Sequence, residues 1–336
     1  MEKLTLQLSG YFDHNFGDDY MMKIIVHYLP EIEFVVAKNE KISRLLLEEK
    51  NVRLMADGEK GKYPVLIVTG SGFMINSAIA LKVEIKSFLK REKAGDYCLG
   101  CNIEPFKSKL RELLIRHKLS KLRLIVCRDT ASFKWLRKNL KTDVRQLPDI
   151  LFSIPEEWLK MQADAVALGI SVMNIGKDGA DYYKKMAEIA DFYVQQTGNE
   201  VFLMAFDTGD EDDVCACELV KGMCKEKDFI KLVCHGDNSE IIDAYSKCRK
   251  IVGARFHSVV LALRMGIDVY PIIYRKKTEN ILSDIRYTGK KSYINQIESQ
   301  EIKDFLLSEE KAFSNYKIFN CENKYPQILR EILSKI

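Results

Sequence analysis

Short apolar runs recur along the first half of the chain, and between them apolar residues return every three or four positions. The runs "KLTLQLSG" from Lys3, "IEFVVA" from Ile32, "PVLIVTG" from Pro64, "YCLGCNI" from Tyr97 and "LRLIVCRD" from Leu122 read as buried strands. The intervening "DDYMMKIIVHYL", "EKISRLLLEE", "INSAIALKVEIKSFLK" and "SKLRELLIRHK" carry the helical period. A strand covered on both faces is apolar throughout rather than alternating, and helices between such strands supply the cover. The pattern therefore predicts βαβ units around a parallel sheet.

The series pauses at "LPDILFSIPEEWLKMQADA", which holds two prolines and an indole, and then restarts. "VALGISVM", "NEVFLMAFDTG", "DFIKLVCHG", "KIVGA" and "DVYPIIY" are the second set of strands. "DYYKKMAEIADFYVQQTG", "DVCACELVKGMCKE" and "SEIIDAYSKC" are the helices between them. The expected fold class is α/β, with two Rossmann-like domains facing a cleft and a C-terminal helical segment. The N-terminal domain is placed at 1–158, the C-terminal domain at 159–310 and the helical segment at 311–336, the break falling at about residues 155–165. The tail carries two further helical patterns, "SQEIKDFLLSEEKAFSNY" and "KYPQILREILSK".

Ligands of open parallel sheets bind where strands end and helices begin, so the polar residues of those junctions are the candidates. In "SGYFDHNFGDDYMM", Asn15, Gly17 and Asp18 occupy the first junction. Asp18 reads either as a helix cap or as a hydrogen-bond acceptor beside a close-approach glycine. In "VTGSGF", Gly70, Ser71 and Gly72 form a turn whose backbone N–H groups suit an anion or a sugar; Ile75 stands where a dinucleotide fingerprint needs its third glycine. In "LIVCRDTAS", Arg128 ends a strand and Asp129 precedes a helix, giving either an Arg–Asp pair with a cap or a guanidinium for a carboxylate or phosphate. In "KIVGARFHSVVLALRMG", Arg255 and His257 flank Phe256, with Ser258 as expected cap and Gly266 as expected stop. On an extended segment side chains two apart point the same way, so Arg255 and His257 would serve one ligand. From spacing alone, capping and catalysis stand level there. Arg275, Lys276 and Lys277 follow the last strand, either as a solvated turn or as anion contacts.

Composition narrows the class. The chain has 336 residues, 47% hydrophobic and 30% charged, with a net charge of +4, too small for a polycation that binds nucleic acid. Nine cysteines in mostly apolar surroundings fit reduced, buried thiols. Cys98 and Cys101 form a C-x-x-C without a second ligand pair, so no metal is expected. No long apolar stretch and no leader-like N-terminus is found, and a cytoplasmic protein is expected. "KSKLRELLIRHKLSKLR" reads as a solvated basic face over a core stripe, the sharper alternative being peripheral contact with an anionic membrane.

Taken together, the junctions resemble the polysaccharide pyruvyl transferase family over most of the chain. The N-x-G-D signature stands as Asn15-Phe16-Gly17-Asp18, the glycine-rich turn as Gly70-Ser71-Gly72, R-D-x-x-S as Arg128 to Ser132 and P-D-x-x-F as Pro148 to Phe152. The R-[LF]-H-[SA] block is Arg255 to Ser258, followed by Gly266-Ile267-Asp268-Val269 and by Tyr274 to Lys277. Two departures are Gly100-Cys101-Asn102-Ile103-Glu104-Pro105, where the family often has G-Q-G-I-G-P, and Ile150 in place of a frequent proline.

The resemblance implies a GT-B-like arrangement whose C-terminal helix packs back on the N-terminal domain. It also implies pyruvyl transfer from phosphoenolpyruvate, a co-substrate with no further cofactor, to a saccharide acceptor that is free, lipid-linked or nucleotide-linked. On this reading His257 is the general acid. Arg128, Arg255, the backbone at Phe256 and Lys277 hold the donor, while Asn15, Asp18, Gly70, Ser71 and Gly72 face the acceptor. Competing readings are a GT-B glycosyltransferase with a nucleotide-sugar donor and an inactive binding protein on the same fold.

Overall fold

A computed structural model describes residues 4–70, 85, 96–106, 108–160, 162–236, 240–309 and 324–334. The chain divides into two compact units. One comprises Met1–Phe12, Asp18–Ser153 and Asn323–Ile336, and the other Asp13–Gly17 and Ile154–Glu322.

The first unit holds β1 (Thr5–Ser9), β2 (Glu33–Val36), β3 (Val52–Leu54), β4 (Val65–Val68), β5 (Tyr97–Cys101), β6 (Leu124–Cys127) and β7 (Asp143–Gln146). They form one sheet in the order β3-β2-β1-β4-β5-β6-β7, paired in parallel. β5 and β6 are buried at every position, as continuous apolar runs should be when helices cover both faces. The edge strands β3 and β7 carry no such run ("VRL", "DVRQ"), and the apolar pattern does not predict them. The helix expected over "EKISRLLLEE" forms only at Arg44–Leu47, where the Ser43 hydroxyl accepts from the Leu45 N–H, and the chain soon enters β3. "INSAIALKVEIKSFLK" lies outside the described residues apart from Ile85. The terminal helix Lys324–Leu333 belongs to this unit. Its Tyr325 hydroxyl donates to the Pro148 carbonyl at 2.8 Å, and Arg330 bonds Glu31 and the Tyr28 carbonyl.

The second unit holds β8 (Ala167–Ser171), β9 (Val201–Ala205), β10 (Ile230–Cys234), β11 (Cys248–Gly253), β12 (Asp268–Ile273) and β13 (Ser292–Tyr293), in the order β10-β9-β8-β11-β12-β13. This is the doubly wound Rossmann order, and it reverses between β8 and β11. In the helix Ala180–Thr197, the buried residues Tyr182, Met186, Ile189, Ala190 and Tyr193 recur at helical spacing and pack on the sheet core. The first unit reverses in the same way between β1 and β4. Each reversal opens a crevice at the carboxyl ends of the strands; the junctions after β1, β4 and β11 lie there, whereas those of Arg128 and Arg275 follow β6 and β12 farther along the sheets.

Candidate functional site

In the second unit the crevice between β8 and β11 is bridged by Arg255. Its N–H donates to the Ser171 hydroxyl at the end of β8, at 3.3 Å. Its backbone is extended (φ −77°, ψ 141°), and it is the N-cap of the helix Phe256–Met265, which Gly266 ends at φ 69°. The side chain is 7% exposed and faces carboxylates. Nε donates to Asp213 Oδ2 at 2.8 Å, Nη2 to Asp213 Oδ1 at 2.5 Å, and Nη1 to Glu211. Burial alone would depress the guanidinium, but the Asp213 and Glu211 charges raise it above its ordinary value. Burial pushes the Asp213 carboxyl up, against the pull of Arg255. Asp213 is fully buried, and its oxygens also accept from the N–H groups of Asn174 and Asp207.

Two expectations about this turn are corrected. Ser258 does not cap the helix; it lies fully buried in the first turn, because the helix starts at Phe256. For the same reason Arg255 and His257 are not two apart on an extended segment. Arg255 precedes the helix and His257 is its second residue.

The N-x-G-D signature has a structural account. Asp13–Gly17 groups with the second unit, stitched to the loop that follows β9. Asn15 Nδ2 donates to Asp207 Oδ2 at 2.9 Å, while its Oδ1 accepts from the Gly17 N–H at 3.1 Å, capping the helix Phe16–Tyr28. The Phe16 N–H donates to the Phe206 carbonyl at 2.8 Å, the Thr208 N–H to His14 O at 3.1 Å, and the Asp210 N–H to Asp13 Oδ2 at 2.8 Å. Phe16 is fully buried, edge-on to Phe206 and His235. Burial raises the Asp207 carboxyl, though the Asn15 bond pulls the other way.

These bonds press Gly17 against the His257 ring. A Cβ on Gly17 would overlap Nδ1, Cε1 and Cγ of the imidazole, so only glycine fits. Gly17→Ala is expected to lower stability by at least about 1–3 kcal/mol, because the ring or the helix start must move. Urea unfolding checks this, and a loss below about 0.5 kcal/mol, the level of a neutral surface change, would contradict the packing.

Beyond His257, the Phe256 ring meets it edge-on at 5.0 Å. Lys277 Nζ lies 5.3 Å from the Phe256 ring and 5.6 Å from that of Tyr274. Lys277 opens the helix Lys276–Asp284, for which Arg275 is the N-cap. Burial would raise the Glu211 carboxyl, but Arg255, then Arg275 and Lys277, outweigh it and hold it below the usual range. Two helix N-termini thus follow the neighbouring strands β11 and β12 on one edge of the sheet, with Arg255, His257, Arg275 and Lys277 among their first residues.

In the first unit Asp18 Oδ1 accepts from the Gly70 N–H at 3.4 Å, across the β1–β4 reversal. Ser71 and Gly72, expected to complete the glycine-rich turn, lie outside the described residues. Arg128 is 2% exposed and its guanidinium is committed within the unit. Nη1 donates to Asp149 Oδ2 at 2.7 Å, and Nη2 to Asn102 Oδ1 at 2.8 Å and to the Gly70 carbonyl. These bonds and its burial leave the Arg128 guanidinium little surface for a ligand in this arrangement. Asp129 caps the helix Thr130–Asn139, its Oδ1 accepting from the Ser132 N–H at 2.8 Å. Cys98 and Cys101 are buried thiols, and Cys101 is pushed well above its ordinary value by its bond with Cys98 and by burial. Among the described residues no group of three His, Cys, Asp or Glu side chains is placed to hold a metal ion.

The residues that sequence reasoning missed are Asp207, Glu211 and Asp213. Their signal is "FDTGDEDD" after β9, a strand end that carries five acids in eight residues.

A family model described as polysaccharide pyruvyl transferase matches residues 15–276. No curated protein matches the sequence significantly. Among solved structures, Anabaena Alr3699/HepE in complex with UDP is 14% identical with a TM-score of 0.60, covering 99% of this chain and 100% of its own. UDP-GlcNAc 2-epimerase from Methanocaldococcus jannaschii is 9% identical with a TM-score of 0.59 and the same coverage. A glycosyltransferase from Rickettsia africae ESF-5 is 13% identical with a TM-score of 0.58, covering 100% of this chain and 99% of its own. At such identities the likeness is one of fold, that of the GT-B glycosyltransferases and epimerases. Among the described residues no helix is long and apolar enough to cross a membrane.

Proposed function

Because the chain belongs to the polysaccharide pyruvyl transferase family, we propose that it transfers a pyruvyl group from phosphoenolpyruvate to a saccharide, forming a pyruvate ketal. The observation that carries this reading is the edge of the second sheet at β11 and β12. His257 lies there in the first turn of one helix, with Arg275 and Lys277 opening the next. Helix N-termini favour anions, and the donor brings both a carboxylate and a phosphate.

The chemistry asks for an acid beside an anion site. A proton is delivered to the methylene carbon of the donor, and an acceptor hydroxyl oxygen bonds to the adjacent carbon. The bond from that carbon to the phosphate oxygen breaks, and phosphate leaves. A second hydroxyl of the acceptor closes the ketal. Of the two hydroxyl protons, one balances the proton now on the methyl group and the other departs with phosphate. Histidine is the side chain suited to acid catalysis in the neutral range, and His257 is the acid. Lys277, held over Phe256 and Tyr274, faces the donor's negative charge. Asn15 and Asp18, through the signature they share with Gly17, serve the acceptor.

The rival donor is a nucleotide sugar, since solved structures of similar fold carry UDP. Thermal titration separates the two. Phosphoenolpyruvate is expected to raise the melting temperature at lower concentration than UDP or a UDP-sugar, because a ligand stabilises in proportion to the logarithm of its concentration over its dissociation constant. Stabilisation by the UDP series alone would replace pyruvyl transfer with glycosyl transfer.

A further inference from the structure

The two carboxylates on Arg255 are held very differently. Asp213 is buried and fixed by two backbone N–H donors besides the bidentate guanidinium. Glu211 keeps 48% of its side chain exposed and reaches Nη1 from the loop that joins β9 to the helix Asp213–Met223. Its backbone N–H is anchored separately, on Asp207 Oδ1 at 3.2 Å, so the side chain can rotate off Arg255 without releasing the loop. Asp213 already neutralises Arg255. Glu211 and Asp207 are balanced in turn by Arg275 and Lys277, so an incoming anion finds net positive charge there only once Glu211 gives way.

We propose that Glu211 occupies the place at Arg255 Nη1 that an anionic group of the donor takes, so that donor binding requires this carboxylate to swing away. The inference rests on the pyruvyl-transfer reading only for the identity of the anion. It makes Glu211 a specificity residue. An anion that matches a carboxylate's fit to the guanidinium fork can displace it, whereas a neutral or diffuse ligand cannot. The buried Arg255–Asp213 pair is retained throughout as the rigid seat.

The test measures binding by calorimetry at neutral pH to the full chain and to its Glu211→Gln and Glu211→Asp variants. Phosphoenolpyruvate and inorganic phosphate are the probes, titrated separately. Gln keeps the size but removes the charge, and Asp keeps the charge but draws it back by one methylene. Removing a competitor of this exposure should tighten binding about three- to tenfold. Equal or weaker binding of both probes by the folded variants overturns the proposal, because Glu211 then helps to hold the anion or plays no part. Since half of the side chain is exposed, Glu211→Gln should fold, and Glu211→Asp supplies the same reading if it does not. The two ideas fail separately. Phosphate that binds the variants more tightly, with no binding of phosphoenolpyruvate to any of the three proteins, would sink pyruvyl transfer and leave the displaced carboxylate standing.

Discussion

Replacing His257 with Asn is expected to slow phosphate release from phosphoenolpyruvate, measured with a saccharide acceptor, by about 10²–10⁴-fold, the usual contribution of a positioned general acid. Asn is small enough for the seat beside Gly17 and retains polar atoms, so stability should fall by no more than about 1–2 kcal/mol. The expected split is a collapse of kcat with donor binding largely kept, because the helix N-termini and the basic residues at β11 and β12 remain. Near-normal turnover by a folded variant would remove His257 from the chemistry. The same measurement on Gly17→Ala is informative: its Cβ overlaps the imidazole, and a displaced ring should cost activity even though no functional atom has been deleted.

The second large effect is on the first unit. Asp149→Ala leaves Arg128 charged, buried and without its carboxylate, and the expected cost is about 3–5 kcal/mol. The pair has side-chain exposures of 2% and 0%, so water cannot make up the loss. Asp149 Oδ1 also accepts from the Leu151 N–H at 2.9 Å, which adds an orphaned donor. An Arg128→Met, Asp149→Leu double variant should recover part of the loss by removing both charges. It should stop short of the parent, because the Gly70 carbonyl and Asn102 would then lack their guanidinium partner. Equilibrium unfolding in urea of the two variants and the parent gives the comparison. If Asp149→Ala costs less than about 1 kcal/mol, the pair lies in a wetter setting than its burial indicates.

The strands buried on both faces were legible in the sequence because burial makes them continuous: "LIVC" and "ALGIS" can be little else. The edge strands β3 and β7 were not, since among the described residues one flank meets no strand and their composition is mixed. At the site, Gly17 and His257 were each visible as members of a motif, but their contact was not. It depends on Asn15 pairing with Asp207, across a separation in sequence that no local pattern encodes. The partners of Arg128 and Arg255 were hidden for a similar reason. An arginine at a strand end looks the same whether it awaits a ligand or already holds Asp149 or Asp213, and the answer lies on a distant turn. The helix start at Phe256 shows a smaller failure, in which Ser258 looked like a cap although Arg255 holds that position.

The division of the chain into units has a consequence for the order in which a ribosome delivers them. Asp13–Gly17 emerges early and waits for the loop after β9, made almost two hundred residues later. The first unit waits longer still. Tyr325, fully buried against the Pro148 carbonyl beside the Arg128–Asp149 pair, is made 177 residues after its partner. Its helix cannot dock until the second unit has been made. The first unit is therefore completed only after the second has been made, and a nascent chain stalled before Lys324 would carry the first sheet with that position uncovered.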